Sequence, residues 1–257
     1  MIKSHGISDV GTVRQENQDR ILMDQDLALY IVADGMGGHR HGEMAAELAI
    51  ETIRYYVDSS RDRFDVSWPF GYNFELSIDA NRISTAIRLA NRQVWRHAEQ
   101  GPQFAGMGTT VAAVLVGDSA TGAKSAVIAN VGDSRAYLYR GGTLKQVTVD
   151  DTWLGSFVAK GLITSEDLLN HPMRNVLTQA AGSQEDVEVH VRDHELQDSD
   201  MFLLSSDGLH GVLGDEGMRA ILAAESDLEQ AATRLVASAK EKGAPDNVSV
   251  VLLRYIG

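Results

Sequence analysis

Short apolar runs rich in β-branched residues recur along the chain, each bounded by Gly, Asp, Asn or Ser. They fall at 27–33, 110–116, 125–131, 136–139, 187–191, 201–205 and 248–253, and each has the length of a strand. Gly141-Gly142, set between Tyr137-Leu138-Tyr139 and Leu144, predicts a hairpin and therefore antiparallel pairing. Two stretches change period. Residues 43–57 place Ala45, Ala46, Ala49, Ile50, Ile53 and Val57 on one helical face, and 77–99 do the same with Ile78, Ile83, Ile87, Ala90 and Val94. Two further helices are predicted at 216–224 and 228–242. Strands, a helix pair, strands, a second helix pair and a last strand make an α+β pattern of antiparallel sheets under helices. Residues 60–73 read as a loop, and 150–183 as a short-helix insertion or flap.

Composition narrows the functional classes. The 257 residues are 44% hydrophobic and 23% charged, ordinary values for a packed globular chain. With no cysteine, disulfides, thiolate metal sites and cysteine nucleophiles are excluded, and a reducing compartment suits the chain. The first residues carry no apolar segment of signal-peptide type, and the run 109–116 is far too short to span a bilayer. A cytoplasmic protein without membrane attachment is the expectation. The net charge of −13 argues against nucleic acid, which rewards Lys/Arg stripes. It also means that any anionic ligand would need a local source of positive potential, which bound cations can supply.

Four aspartates stand beside Gly or Asn where apolar runs end: Asp34 (Val32-Ala33-Asp34-Gly35), Asp133 (Gly132-Asp133-Ser134), Asp207 (Ser206-Asp207-Gly208) and Asp246 (Pro245-Asp246-Asn247). A lone Asp-Gly is most often a turn. Four in similar positions raise a different question, because carboxylates repel: two charges at ~4 Å cost about 4 kcal/mol at an effective dielectric of 20. Such a group persists with protons retained or with cations between the oxygens. An oxygen-only ligand set selects hard ions such as Mg²⁺ or Mn²⁺. Upstream, the charged stretch 11–20 offers Arg14, whose guanidinium can fork onto a phosphate, and Asp19, a fifth carboxylate.

Taken in order, seven segments resemble the metal-dependent protein phosphatases of the PPM (type 2C) family in their compact bacterial form. They are Arg14…Asn17-Gln18-Asp19-Arg20; Val32-Ala33-Asp34-Gly35-Met36-Gly37-Gly38-His39…Gly42-Glu43; Gly106-Met107-Gly108-Thr109-Thr110; Val131-Gly132-Asp133-Ser134-Arg135-Ala136-Tyr137; His171-Pro172…Arg174-Asn175-Val176-Leu177-Thr178; Leu204-Ser205-Ser206-Asp207-Gly208-Leu209; and Pro245-Asp246-Asn247-Val248-Ser249. The resemblance implies one catalytic domain over 1–257, a four-layer α-β-β-α sandwich with a flap at about 150–183. It implies two Mn²⁺ or Mg²⁺ ions, with Asp34 bridging both, the Gly35 carbonyl on one, Asp207 and Asp246 on the other, and Asp19 in an outer shell. Asp133, with Asp207, matches a weaker third metal position. Arg14 matches the phosphate-binding arginine, and His39 is a candidate substrate contact.

The activity implied is hydrolysis of phosphoserine and phosphothreonine in proteins by a metal-activated water. Phosphoprotein partners are expected to include a bacterial-type Ser/Thr kinase, and the chain is expected to be a monomer. Two alternatives stay open: a phosphatase dedicated to one regulatory protein, and a non-catalytic module that binds phosphoproteins. Departures from the family pattern are Gln18 in place of Glu, Met36 where animal members carry His, and Asp150-Asp151-Thr152 in place of Asp-His-Ser. The leaving-group acid is left unassigned. Trp153 and Phe157 are read as packing residues within reach of a protein substrate.

Overall fold

The apolar runs fold into two antiparallel sheets laid face to face, each backed by a helix pair. The computed structural model describes all residues except 39–40, 62, 64–65, 120, 160–172 and 174–175. In chain order the elements are β1 (Ile2–Asp9), β2 (Asp19–Asp24), β3 (Leu29–Met36), α1 (His41–Ser60) and α2 (Ile78–Ala98). There follow β4 (Gly108–Thr109), β5 (Val111–Asp118), β6 (Lys124–Val131), β7 (Arg135–Arg140), β8 (Thr143–Gln146) and α3 (Trp153–Ala159). The chain then adds β9 (His190–Glu195), β10 (Met201–Ser205), α4 (Asp207–Ala224), α5 (Leu228–Glu241) and β11 (Val248–Tyr255). One sheet has the order β1-β11-β10-β7-β8 and the other β2-β3-β5-β6-β9, with the short β4 against β3.

Strand alternation explains the four layers. In β3, Leu29, Ile31 and Ala33 pack with Ala46, Ile53, Ile83 and Ile87 of α1 and α2, while Tyr30 and Val32 point into the gap between the sheets. In β10, Met201 and Leu203 pack under α4 and α5, while Phe202 and Leu204 meet Tyr30, Val32 and Val114 of the opposite sheet. Each central strand is buried on both faces, so it reads as a continuous apolar run and not as an alternation. The predicted α+β sandwich is the observed fold.

Boundaries moved where local signal was weak. β1 was not anticipated. It is an edge strand whose Ile2 and Ile7 are only partly buried and whose other positions are polar or glycine. β2 is likewise absent from the predicted strands and starts inside the charged stretch 11–20; its Ile21 and Leu22 are the only apolar anchors before Met23. The strand expected at 187–191 begins at His190, and Val187 instead joins the helix-side core. The helix expected at 216–224 starts nine positions earlier, at Asp207, and its path breaks at Gly214 (φ 67°, ψ 167°), so the sequence period restarts there. Ser77 caps α2 by accepting the Ala80 N–H, and Asp227 caps α5 through the Gln230 N–H. The hairpin at Gly141-Gly142 is present, with Arg140 paired to Thr143.

Phe202, 1% exposed, fills the middle of the inter-sheet layer. Phe202→Ala is expected to cost about 3–5 kcal/mol of unfolding free energy, measured by urea denaturation. A loss below about 1 kcal/mol would mean the two sheets are not packed through this residue.

Candidate metal centre

The five aspartates of the sequence reading meet at one end of the sandwich, where strands of both sheets stop. β2 and β3 pair in a register that puts Asp19 directly opposite Asp34. Two carboxylates facing each other across a strand pair oppose folding. The turn from β6 to β7 brings Asp133, the step from β10 into α4 brings Asp207, and the approach to β11 brings Asp246. The charges of Asp19, Asp207, Asp133 and Asp246 all act on Asp34.

Hydroxyls and amides fix the backbone under this cluster. The Thr109 hydroxyl and the Thr110 N–H donate to the Asp34 carbonyl at 3.0 and 2.8 Å, and the Asp34 N–H donates to Thr110 Oγ1 at 3.1 Å. Ser206 donates to Asp19 Oδ2 at 2.7 Å and accepts the Ser249 N–H at 3.0 Å, tying β2 of one sheet to β11 of the other. Asn247 latches the 10–18 loop. Its Nδ2 donates to the carbonyls of Val10 and Glu16, both at 3.0 Å, and its Oδ1 accepts the Gln18 N–H at 2.8 Å. Gly35 abuts Gly42 at the start of α1 so tightly that a side-chain carbon at Gly35 would collide with the Gly42 carbonyl. Arg20 holds the same corner from outside, bonded to Glu43 and to the carbonyls of Asn17 and Asp19.

Burial and mutual repulsion raise the affinity of these carboxylates for protons. Burial, then the Asp19 and Asp207 charges, holds Asp34 well above the ordinary carboxylate range. Asp19 is pushed up to about 6 by burial, against hydrogen bonds from Ser249 and Ser206. Burial and the charges of Asp246 and Asp19 push Asp207 up to about 6, and burial with the Asp207 and Asp150 charges takes Asp133 to about 7. Among the described residues, no group of three or more His, Asp or Glu side chains is so placed that it could hold a metal ion as it stands. Two carboxylate oxygens, Asp19 Oδ1 and Asp207 Oδ1, are nevertheless buried without a hydrogen-bond partner. Buried acceptors that lack a donor are costly, and oxygen acceptors in an acidic cluster suit hard divalent cations. The residues present therefore fit such ions.

Arg14 lies on the rim, its side chain 54% exposed, with Nη2 on Asp246 Oδ2 at 2.7 Å. His39 lies outside the described residues, as do His171-Pro172 and Arg174-Asn175. Of the segment read as a flap, the stem is described. Trp153, half-exposed, stacks edge-on against Phe157 with ring centres 4.9 Å apart, and its backbone N–H donates to the Val176 carbonyl at 2.8 Å. Ser206, Thr110 and Asn247 were quoted in the sequence motifs without a role. Their only sequence signal was a place beside an aspartate, for Ser206 and Asn247, or within the Gly106–Thr110 motif, for Thr110.

The chain matches the family model described as Protein phosphatase 2C over residues 11–252. It is 34% identical over 253 residues to the serine/threonine phosphatase stp of Listeria welshimeri, covering 96% of this chain and 93% of that protein. The fold is similar to the crystal structure of the Mycobacterium tuberculosis serine/threonine phosphatase PstP/Ppp, with TM-score 0.84, 32% identity and coverage of 100% of this chain and 99% of that one. It is also similar to the catalytic domain of PstP in complex with two manganese ions, with TM-score 0.82, 30% identity and the same coverage.

The raised carboxylates predict an inverted pH response. Asp19, Asp207 and Asp133 bind protons more tightly folded, at about 6 to 7, than at their ordinary value of 3.8. Their stabilising contribution is complete below the unfolded value and is lost as pH rises through the folded values. EDTA-treated protein is expected to melt at a higher temperature near pH 5.5 than near pH 7.5, roughly the window these shifts define, and saturating Mn²⁺ should flatten the difference. A melting temperature that falls steadily on acidification through this window, without metal, would contradict the electrostatics.

Proposed function

Given that this chain belongs to the protein phosphatase 2C family, we propose that it removes phosphate from phosphoserine and phosphothreonine in proteins by a divalent-metal-dependent hydrolysis at the Asp34 cluster. The observation that carries the reading is the convergence of five carboxylates that leaves two buried oxygens, Asp19 Oδ1 and Asp207 Oδ1, without a donor. Asp34, the Gly35 carbonyl, Asp207 and Asp246 would hold two Mn²⁺ or Mg²⁺ ions, with Asp19 in support and Asp133 sharing a weaker third position with Asp207. When bound, the ions supply a water of lowered pKa and charge neutralisation for the phosphoryl oxygens.

The chain's own residues do the rest. Arg14 offers a planar, permanently charged fork, and on the rim its present partner is a single oxygen of Asp246. A phosphate competes for that fork with two or more oxygens, so Arg14 binds and orients the ester. Ser206 donates to Asp19 Oδ2 and is itself held by the Ser249 amide, an arrangement that aims the second carboxylate oxygen. Thr109 and Thr110 keep the Asp34 backbone fixed, so no reorganisation is needed when charge develops. No covalent phosphoenzyme is required. No helix among the described residues is long and apolar enough to cross a membrane. A cytoplasmic monomer acting on phosphoproteins, a bacterial-type Ser/Thr kinase among them, is the setting we assign. No observation favours the non-catalytic alternative, since every carboxylate that the chemistry needs is present.

Asp34→Ala, Asp207→Ala and Asp246→Ala should each lower Mn²⁺-dependent hydrolysis of p-nitrophenyl phosphate by roughly 100-fold or more. Metal ions contribute several kcal/mol to such transition states, and each ~1.4 kcal/mol is tenfold. Near-normal turnover in the Asp34 variant would defeat the reading. Arg14→Ala should raise KM by about tenfold and change kcat less. Steady-state kinetics with KM and kcat both unchanged would remove Arg14 from the site.

A further inference from the structure

Beside the Asp133 turn, a second aspartate makes four hydrogen bonds to three separate parts of the chain. Asp151 is almost buried, with its side chain 10% exposed. Its Oδ2 accepts the Gly132 N–H at 2.9 Å, and its Oδ1 meets His190 Nε2 at 2.8 Å. Its own N–H donates back to the Gly132 carbonyl at 3.0 Å, and its carbonyl accepts the Thr178 N–H at 2.7 Å. We infer that Asp151 is a positioning residue that locks the turn carrying Asp133 to the stem of the 150–183 segment and to His190 on the edge strand β9. The functional part of this inference rests on the role proposed above for Asp133.

The geometry makes the lock specific. Gly132 has φ +93°, and a side-chain carbon there would come within 2.8 Å of Thr110, so the position needs glycine, whose conformational freedom leaves the turn dependent on its hydrogen bonds. On one side the turn is held by Thr110, whose hydroxyl pairs with Ser134 Oγ at 2.6 Å and accepts the Asp34 N–H. On the other side it is held by Asp151. The stem hangs from the same residue: Thr152 bridges Leu177, and Thr178 bonds to the Asp151 carbonyl. Asn130, which pairs with His190 between β6 and β9, adds a parallel tie by donating to the Val149 carbonyl at 2.6 Å. A movement of the stem is thus passed to Gly132 through the carboxylate and the backbone N–H of Asp151, with the Asn130–Val149 tie alongside, and from Gly132 to its neighbour Asp133. Only an acceptor fits at Oδ2, because an aliphatic side chain would leave the buried Gly132 N–H without a partner.

The consequence is substrate discrimination. A phosphoprotein large enough to touch the stem, where Trp153 is half-exposed, would bear on the placement of Asp133. A small aryl phosphate would not. The test compares full-length Asp151→Ala and Asp151→Asn with the unaltered chain by amide-resolved hydrogen exchange, Mn²⁺ calorimetry, and kinetics on a phosphothreonine peptide and on p-nitrophenyl phosphate. In Asp151→Ala, exchange at Gly132 and Thr178 should quicken together, by about tenfold or more. The weakest Mn²⁺ step should lose about tenfold in affinity, and kcat on the peptide should fall more than on the aryl phosphate. Asp151→Asn keeps an acceptor for Gly132 and should restore most of the protection. If the Ala variant does not fold, His190→Ala removes only the Oδ1 partner and should loosen Gly132 in the same direction. Gly132 staying protected while Thr178 opens, or neither changing, would overturn the lock. Asp133→Ala, run in parallel, separates the two ideas. An unaltered Mn²⁺ titration there would sink the third-metal role, while coupled exchange in Asp151→Ala would still establish the lock.

Discussion

Two carboxylates, the buried Asp19 and the partly buried Asp34, face each other across paired strands, and three more crowd the same end of the sandwich. Alone, that arrangement opposes folding, since both burial and like charge disfavour the ionised forms. The structure answers with local donors where it can: Ser206 on Asp19, Arg14 on Asp246, and Arg135 near Asp133. It leaves Asp19 Oδ1 and Asp207 Oδ1 unanswered. The unmet oxygens are the electrostatic basis of the divalent-ion site we propose. An acidic chain needs that added positive charge before it can hold a phosphate.

The double sandwich is what makes such a cluster affordable. Its inter-sheet layer, built on Tyr30, Val32, Phe202 and Leu204, and its two helix-backed layers supply apolar burial far from the charges. Strands of both sheets end at the same edge, so residues from β2, β3, β10 and the approach to β11 meet without long flexible loops. The Ser206–Asp19 bond and the Asn247 latch then join the two sheets at that edge. Stability and site geometry are therefore carried by different layers of one fold.

Asp151 adds a second level of organisation. In the sequence it is a departure, an aspartate where the family pattern has histidine, and nothing more. In the fold it becomes a junction between a stem, a turn and an edge strand, because three segments distant in sequence present two N–H donors, a carbonyl and a ring nitrogen to it.

The sequence by itself determined the α+β order of elements and the candidate ligands, with the four-layer arrangement implied by the family resemblance. Strands such as β3, β5 and β10 and the helices α1 and α2 carry their signal in the local period of apolar residues, and aspartates beside Gly or Asn are legible as strand-end chemistry. Weakly apolar β1 and β2 were not legible, because an edge strand is specified by the partner it pairs with and not by its own hydrophobicity. The start of α4 at Asp207 was hidden by the break at Gly214. Only the tertiary structure decided that Asp19 opposes Asp34, that Ser206 and Asn247 hold the site, and that Asp151 reaches Gly132 and His190. Those facts depend on sheet register and on contacts between residues far apart in the chain, and no local pattern encodes either.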